Sequence, residues 1–229
     1  MQRIRIWDWP TRLVHWLIVA LVLFSWGSAK YGHMDLHRYS GYTLLGLLLF
    51  RLYWGVFGGH TSRFASFVKG PRAVLHYLKS QRDSGSTSFS DPIAQSRETT
   101  AFSVGHNPLG ALSVVVLLLL LLAQVFLGLF AVDVDGLESG PLSYLVSFDT
   151  GRAVAEIHGI VFNVLLGFIG LHLAAVLFYQ WVKRDNLMVP MITGGKLAPP
   201  DTDHNDVSTS LLHVAVGIVI ASAIVWLIV

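Results

Sequence analysis

The sequence predicts an all-α membrane protein: a four-helix transmembrane bundle followed by a fifth, C-terminal transmembrane helix. Three observations carry this reading. Of the 229 residues, 53% are hydrophobic and only 13% are charged, about half the charged share of an ordinary soluble domain. Five apolar runs approach or reach the ~20 helical residues needed to cross the hydrocarbon core of a bilayer: residues 13–29, 39–57, 108–132, 157–182 and 211–229. The basic residues between them also fall almost entirely on one side.

The first run has basic flanks but carries His15 and Trp16, and no small-residue cleavage site follows it, so it reads as a span and not a cleaved signal peptide. The second contains one internal charge, Arg51. A polar loop over residues 58–107 follows. Within it, 64–78 places Phe64, Phe67, Val68, Leu75 and Leu78 among basic residues, the pattern of an amphipathic helix on the membrane surface. Residues 80–100, rich in Ser, Thr and Asp, read as a flexible stretch. Asn107-Pro108 opens the third span as N-cap and first helical residue, and residues 114–123 are then uninterruptedly apolar. A second polar linker, 199–206, sets the fifth run apart. The chain thus divides into a membrane domain over 1–197 and a linker plus additional helix over 198–229.

With the N-terminus in the cytoplasm, thirteen of the sixteen Lys and Arg residues lie inside, leaving Lys30, Arg38 and Arg152 outside. That bias fixes the orientation: N-terminus cytoplasmic and C-terminus periplasmic, in a bacterial inner membrane. Trp7, Trp9, Tyr53, Trp54, Tyr179 and Trp181 form the inner aromatic belt. The net charge of +2 therefore reflects orientation among lipids, and no nucleic-acid partner is expected. The absence of cysteine excludes disulfides, zinc-thiolate and iron–sulfur sites, and covalent c-type haem attachment through the chain's own thiols.

Ten histidines accompany the missing cysteines. Ligand-type side chains inside a span are costly and read as functional. His158 and His172 are fourteen residues apart in the fourth run, which is about 21 Å of helix and some 40° short of four full turns. They therefore share a face, one near each membrane surface. That is the spacing for two stacked haems. His15 lies at the depth of His172, and His37 at the depth of His158. The expected axial pairs are His15–His172 and His37–His158, making a dihaem bundle. Any one histidine alone is as well explained by polar helix packing; four at matched depths with Arg51 favour haem. His33 shares a face with His37 and is its rival, and the phase of Arg51 and Gly41 favours His37. Arg51, fourteen residues after His37, reaches the inner haem's depth, where a propionate would satisfy its charge. Arg12, one turn before His15, can do the same. Lys30 reaches the outer haem's depth, and Arg38 adjoins it. Gly41, with Gly159 and Gly170, lets a flat macrocycle approach the backbone. His106, at the inner edge of the third span, is a candidate for a quinone pocket. His60, His76 and His204 read as solvated, and His213 has no evident partner.

These residues resemble the bacterial cytochrome b561 family, in the group that includes the b-type cytochrome subunits of nickel–iron hydrogenases. The resemblance runs from about Arg5 to Lys196. It rests on Trp9-Pro10-Thr11-Arg12 with His15-Trp16; His37 with Gly41 and the Arg51…Trp54-Gly55 end; His106-Asn107-Pro108-Leu109-Gly110; Gly140-Pro141; Glu156-Ile157-His158; His172; and Asn186-Leu187…Pro190-Met191-Ile192-Thr193-Gly194. It implies a four-helix bundle holding two b haems at the positions above. It also implies electron transfer between the membrane quinone pool and a redox partner on the periplasmic side, such as a c-type cytochrome, dehydrogenase or hydrogenase. The fifth run lies outside the resemblance. Its Gly217 and Ala221 give a small-xxx-small spacing suited to a partner, a bundle face or a homo-oligomer.

No catalytic residue is assigned, because bis-histidine iron has no open position and exchanges electrons only. The alternatives are a stand-alone superoxide:quinone oxidoreductase using Lys30 and Arg38 to attract an anion, a non-haem histidine-lined metal or proton transporter, and a plain membrane anchor. Asp35, Asp133, Asp135, Glu138, Asp149 and Glu156 make the outer loops acidic, a surface suited to steering a basic partner.

Overall fold

The computed structural model describes residues 2–68, 70, 79, 108–198 and 209–229. Five helices in it are long and apolar enough to cross a membrane: α1 (Trp9–Lys30), α2 (Met34–Phe57), α4 (Pro108–Phe130), α5 (Phe148–Trp181) and α7 (Leu211–Ile228). Two short helices, α3 (Phe64–Phe67) and α6 (Met188–Thr193), lie after α2 and α5. Two four-residue strands, β1 (Gln2–Arg5) and β2 (Gly195–Ala198), complete the described fold.

Local chemistry sets the helix ends. Asp8 caps α1 by accepting from the Thr11 N–H at 2.9 Å, and Pro10 sits in the first turn where its missing N–H costs nothing. After Lys30 the chain reverses within three residues through Gly32, whose φ of +75° lies in the left-handed region that glycine tolerates. α2 follows as the antiparallel mate of α1. It begins at Met34, five residues ahead of the expected start, because its first turn (Met34-Asp35-Leu36-His37-Arg38) is too polar to register as apolar. α5 likewise begins at Phe148, nine residues early. Ser147 caps it by accepting from the Thr150 N–H, and Gly151, Arg152 and Glu156 make its first turns amphipathic. His37 and His158 therefore lie within helices and do not open them.

α1 packs on α2, α4 on α5, and α2 on both α4 and α7, whereas neither α1 nor α2 makes an extended backbone approach to α5. A central apolar layer fills the middle of the bundle: Leu44, Leu45 and Leu48 from α2, Leu121, Val125 and Leu129 from α4, and Leu165 from α5, with Phe162 and Ile169 against it. Leu165 is seven residues from both His158 and His172, so this layer lies midway between them. α7 runs antiparallel to α2. Its Val214, Gly217 and Ala221 are buried, and a Cβ on Gly217 would come within 2.6 Å of the Tyr53 ring. The small-residue spacing in α7 thus serves contact with α2.

Two features add to the expected fold. First, the bundle is not purely helical. β1 and β2 pair antiparallel, Gln2 opposite Ala198 and Arg5 opposite Gly195, and the pairing continues as the Ile6 and Trp7 N–H groups donate to the Gly194 carbonyl at 2.8 and 3.1 Å. Ile4, Ile6 and Trp7 are buried there against Met191. Second, the start of the 64–78 segment, residues 64–68, turns back against the end of α2. Phe67 is 6% exposed, and Phe64 fits against Gly55 so closely that a Cβ would meet its ring at 2.0 Å. The remainder of that segment, the 80–100 stretch, the Asn107 cap and the 199–206 linker lie outside the described residues.

Candidate functional site

The helical hairpin α1–α2 and the pair α4–α5 bring histidines together at two levels. At the outer level the His37 and His158 rings lie 6.1 Å apart between centroids, nearly perpendicular. Imidazole–metal bonds of about 2 Å put two rings flanking a single ion at roughly 6 Å between centroids. His37 Nδ1 reaches the Ser25 carbonyl at 2.9 Å and its hydroxyl at 3.0 Å, leaving Nε2 as a free electron-pair donor. His33 is exposed at the N-cap of α2, so His37, and not its rival, faces His158. At the inner level His15 on α1 and His172 on α5 are both part-buried. His172 Nδ1 is 3.4 Å from the Ser113 hydroxyl. The Trp16 ring meets His15 edge-on at 5.0 Å, and its Nε1 donates to the Met191 carbonyl at 3.2 Å.

Arg51 is 7% exposed, its guanidinium 5.1 Å from the centre of the Phe64 ring, donating to the Ser62 carbonyl at 3.3 Å. Beside it stands a buried polar knot. Asp8, 1% exposed, accepts from Trp54 Nε1 at 2.9 Å and from the Ser62 hydroxyl at 2.7 Å, besides the Thr11 N–H. Arg12 donates to the Ile192 carbonyl at 2.5 Å while its Nε is buried with no hydrogen-bond partner among the described residues. At the outer end, Lys30 lies over the Trp26 ring at 5.6 Å, and Arg38 is ion-paired with Asp35 and Glu138. His106 lies outside the described residues, as do His76 and His204.

The pockets suit a flat, imidazole-ligated group on three grounds. Nδ1 of His15 and Nδ1 of His158 are buried without hydrogen-bond partners among the described residues, an expensive state for a polar atom. A Cβ on Gly41, one turn along α2 from His37, would meet nothing within 4 Å, so open space lies beside it. The donor set is imidazole alone, in pairs; among the described residues no three His, Asp or Glu side chains gather as a bare-cation site.

A family model described as prokaryotic cytochrome b561 matches residues 6–194. The chain belongs to the prokaryotic cytochrome b561 family. No curated protein and no solved structure matches it. Family membership and five apolar helices make it a multi-pass membrane cytochrome, a b-type haem protein of transmembrane electron transfer. The matched segment ends before α7, which docks on the outside of α2.

Sequence reasoning missed Ser25, Ser113, Gln124 and Asp8. Gln124 carried a signal: with Ser113 it is one of only two polar side chains between Leu109 and Phe130, and polar groups at that depth are rarely idle. Asp8 could not be recognised, because its partners Trp54 and Ser62 are more than forty residues away in the chain.

Proposed function

We propose that this b561-family cytochrome carries electrons through two b haems between membrane quinone and a periplasmic redox partner. His37 and His158 ligate the outer haem and His15 and His172 the inner, in a four-helix domain over 1–197 to which α7 is an accessory. The observation that carries the proposal is the approach of the His37 and His158 rings between α2 and α5, which make no extended backbone contact, with His15 and part-buried His172 at a second level about 21 Å away along α5. Bound there, b haem supplies one-electron chemistry at iron with no open position.

The chain's own groups prepare that chemistry. Donation from His37 Nδ1 to the Ser25 carbonyl selects the tautomer whose Nε2 lone pair is free. Leu44, Leu48 and Leu165 keep water out of the layer between the two levels. Arg51, Arg12, Lys30 and Arg38 are the cations available to propionates. Arg51 is the best buried, and its remaining donors suit a carboxylate. Quinone is assigned to the inner half, on the sequence position of His106 two residues before Pro108. Thirteen inner bases set the N-terminus in the cytoplasm of a bacterial inner membrane. The acidic outer loops, Asp133, Asp135 and Glu138 among them, favour a basic partner such as a c-type cytochrome or a dehydrogenase or hydrogenase subunit.

The test is the reduced-minus-oxidised spectrum of the purified protein with haem quantified per chain. The expected result is two low-spin b haems, with His158→Ala and His172→Ala each removing one. A colourless protein, or two variants with unchanged spectra, would overturn the proposal.

A further inference from the structure

α4 contributes no ligand histidine, yet among the described residues it is the only helix in extended contact with α5. Its two polar side chains meet the two α5 histidines. Ser113 stands 3.4 Å from His172 Nδ1, and Gln124 Nε2 stands 2.9 Å from His158 Nε2. They are eleven positions apart, about three turns, so both lie on one face of α4. Every other side chain from Leu109 to Phe130 is apolar or absent.

The two contacts differ in kind. At the inner level the hydroxyl addresses Nδ1 and leaves Nε2 free. At the outer level the amide addresses Nε2, while the Gln124 carbonyl oxygen and His158 Nδ1 are both buried without partners among the described residues. The His158 ring also lies against the α4 backbone: a Cβ on Gly128, one turn from Gln124, would be 3.2 Å from His158 Cε1 and 3.5 Å from Nδ1. An amide has both a donor and an acceptor, so a turn of the imidazole can join Gln124 to Nδ1 and free Nε2. Glycine at 128 leaves the ring's edge in contact with bare backbone.

We propose that Gln124 and Ser113 are positioning residues, one for each haem: Gln124 orients His158 and sets its basicity, and Ser113 does so for His172. A group hydrogen-bonded to the second nitrogen of a ligating imidazole fixes its tautomer and alters its donor strength. A neutral amide and a hydroxyl differ in both respects. The fold thus gives its two redox centres separate adjustments from a single helix.

This rests on the two-haem reading above, and the experiment separates the two. Full-length protein in lipid nanodiscs is titrated potentiometrically with haem quantified per chain, for wild type, Gln124→Leu, Gln124→Glu, Ser113→Ala and Ser113→Thr. The expected result is two haems in wild type, one of two midpoints shifted in Gln124→Leu, the other shifted in Ser113→Ala, and the Ser113→Ala shift reversed in Ser113→Thr. Gln124→Glu, which keeps an acceptor but adds charge, shifts the same midpoint as Gln124→Leu and serves the comparison if the leucine variant does not accumulate. Loss of one haem with the other midpoint unmoved supports the assignment equally. Two haems whose midpoints stay put in every variant, or move together in each, overturn it while leaving the two-haem reading intact. Wild-type protein without haem overturns both.

Discussion

Asp8→Ala tests the polar knot that joins the start of α1 to the end of α2. The carboxylate, 1% exposed, accepts three hydrogen bonds, from Thr11 N–H, Trp54 Nε1 and the Ser62 hydroxyl, at 2.9, 2.9 and 2.7 Å. Loss of the helix cap costs ~1 kcal/mol. Each of the other two bonds, made to a charged acceptor, is worth about 1.5–3 kcal/mol. The sum, discounted for relaxation, is about 4 kcal/mol. The substitution also strips the nearest countercharge from buried Arg51, which adds to the cost. The assay is SDS-driven unfolding in mixed micelles followed by circular dichroism, arranged as a cycle with Ser62→Ala. Alone, Ser62→Ala costs about 1.5–3 kcal/mol by the same bond value. In the Asp8→Ala background it costs less, because the bond to Asp8 is gone and only the one to Thr11 Oγ1, at 2.8 Å, remains. An Asp8→Ala loss under about 1 kcal/mol, or simple additivity of the pair, would refute the reasoning.

Three further outcomes are expected. His37→Ala removes the outer haem signal while His33→Ala, at an exposed cap, leaves the spectrum unchanged; haem quantification checks both. Gly217→Leu drives a side chain into the Tyr53 ring and loosens α7 from α2. In a chain with no native cysteine, disulfide trapping between Gly46→Cys and Val225→Cys reads this as a several-fold drop in cross-linked product; undiminished cross-linking would contradict the packing. Neutralising Asp133, Asp135 and Glu138 together flattens the salt dependence of electron transfer to a basic periplasmic partner, measured by stopped flow across an ionic-strength series.

The spans were legible because an apolar run of ~20 residues has few other uses. The histidine levels were legible because helical rise converts spacing into depth. His37 prevailed over His33 on the phase of Arg51 and Gly41, and the structure puts that same ring beside His158. What escaped were features made by distant partners. β1 pairs with β2 across almost the whole chain, and neither four-residue segment carries a pattern of its own. The Ile192 carbonyl that holds one nitrogen of Arg12 is likewise a backbone group that sequence cannot display. The early starts of α2 and α5 escaped because a helix can leave the apolar layer and continue as a polar one, whereas hydropathy stops at the boundary.

The β1–β2 pairing bears on how the chain is made. Ile6 and Gly194, hydrogen-bonded at 2.8 Å, are also the two ends of the family match. The matched unit is therefore closed into a ring, with both ends on one side of the membrane. During synthesis β1 emerges first and must wait through four insertions before its mate appears. Closure is thus a late step. It also makes the unit a natural candidate for circular permutation: new termini could open in the outer loops with the old ones joined by a few residues, and α7 would remain an appendage added after the ring has shut.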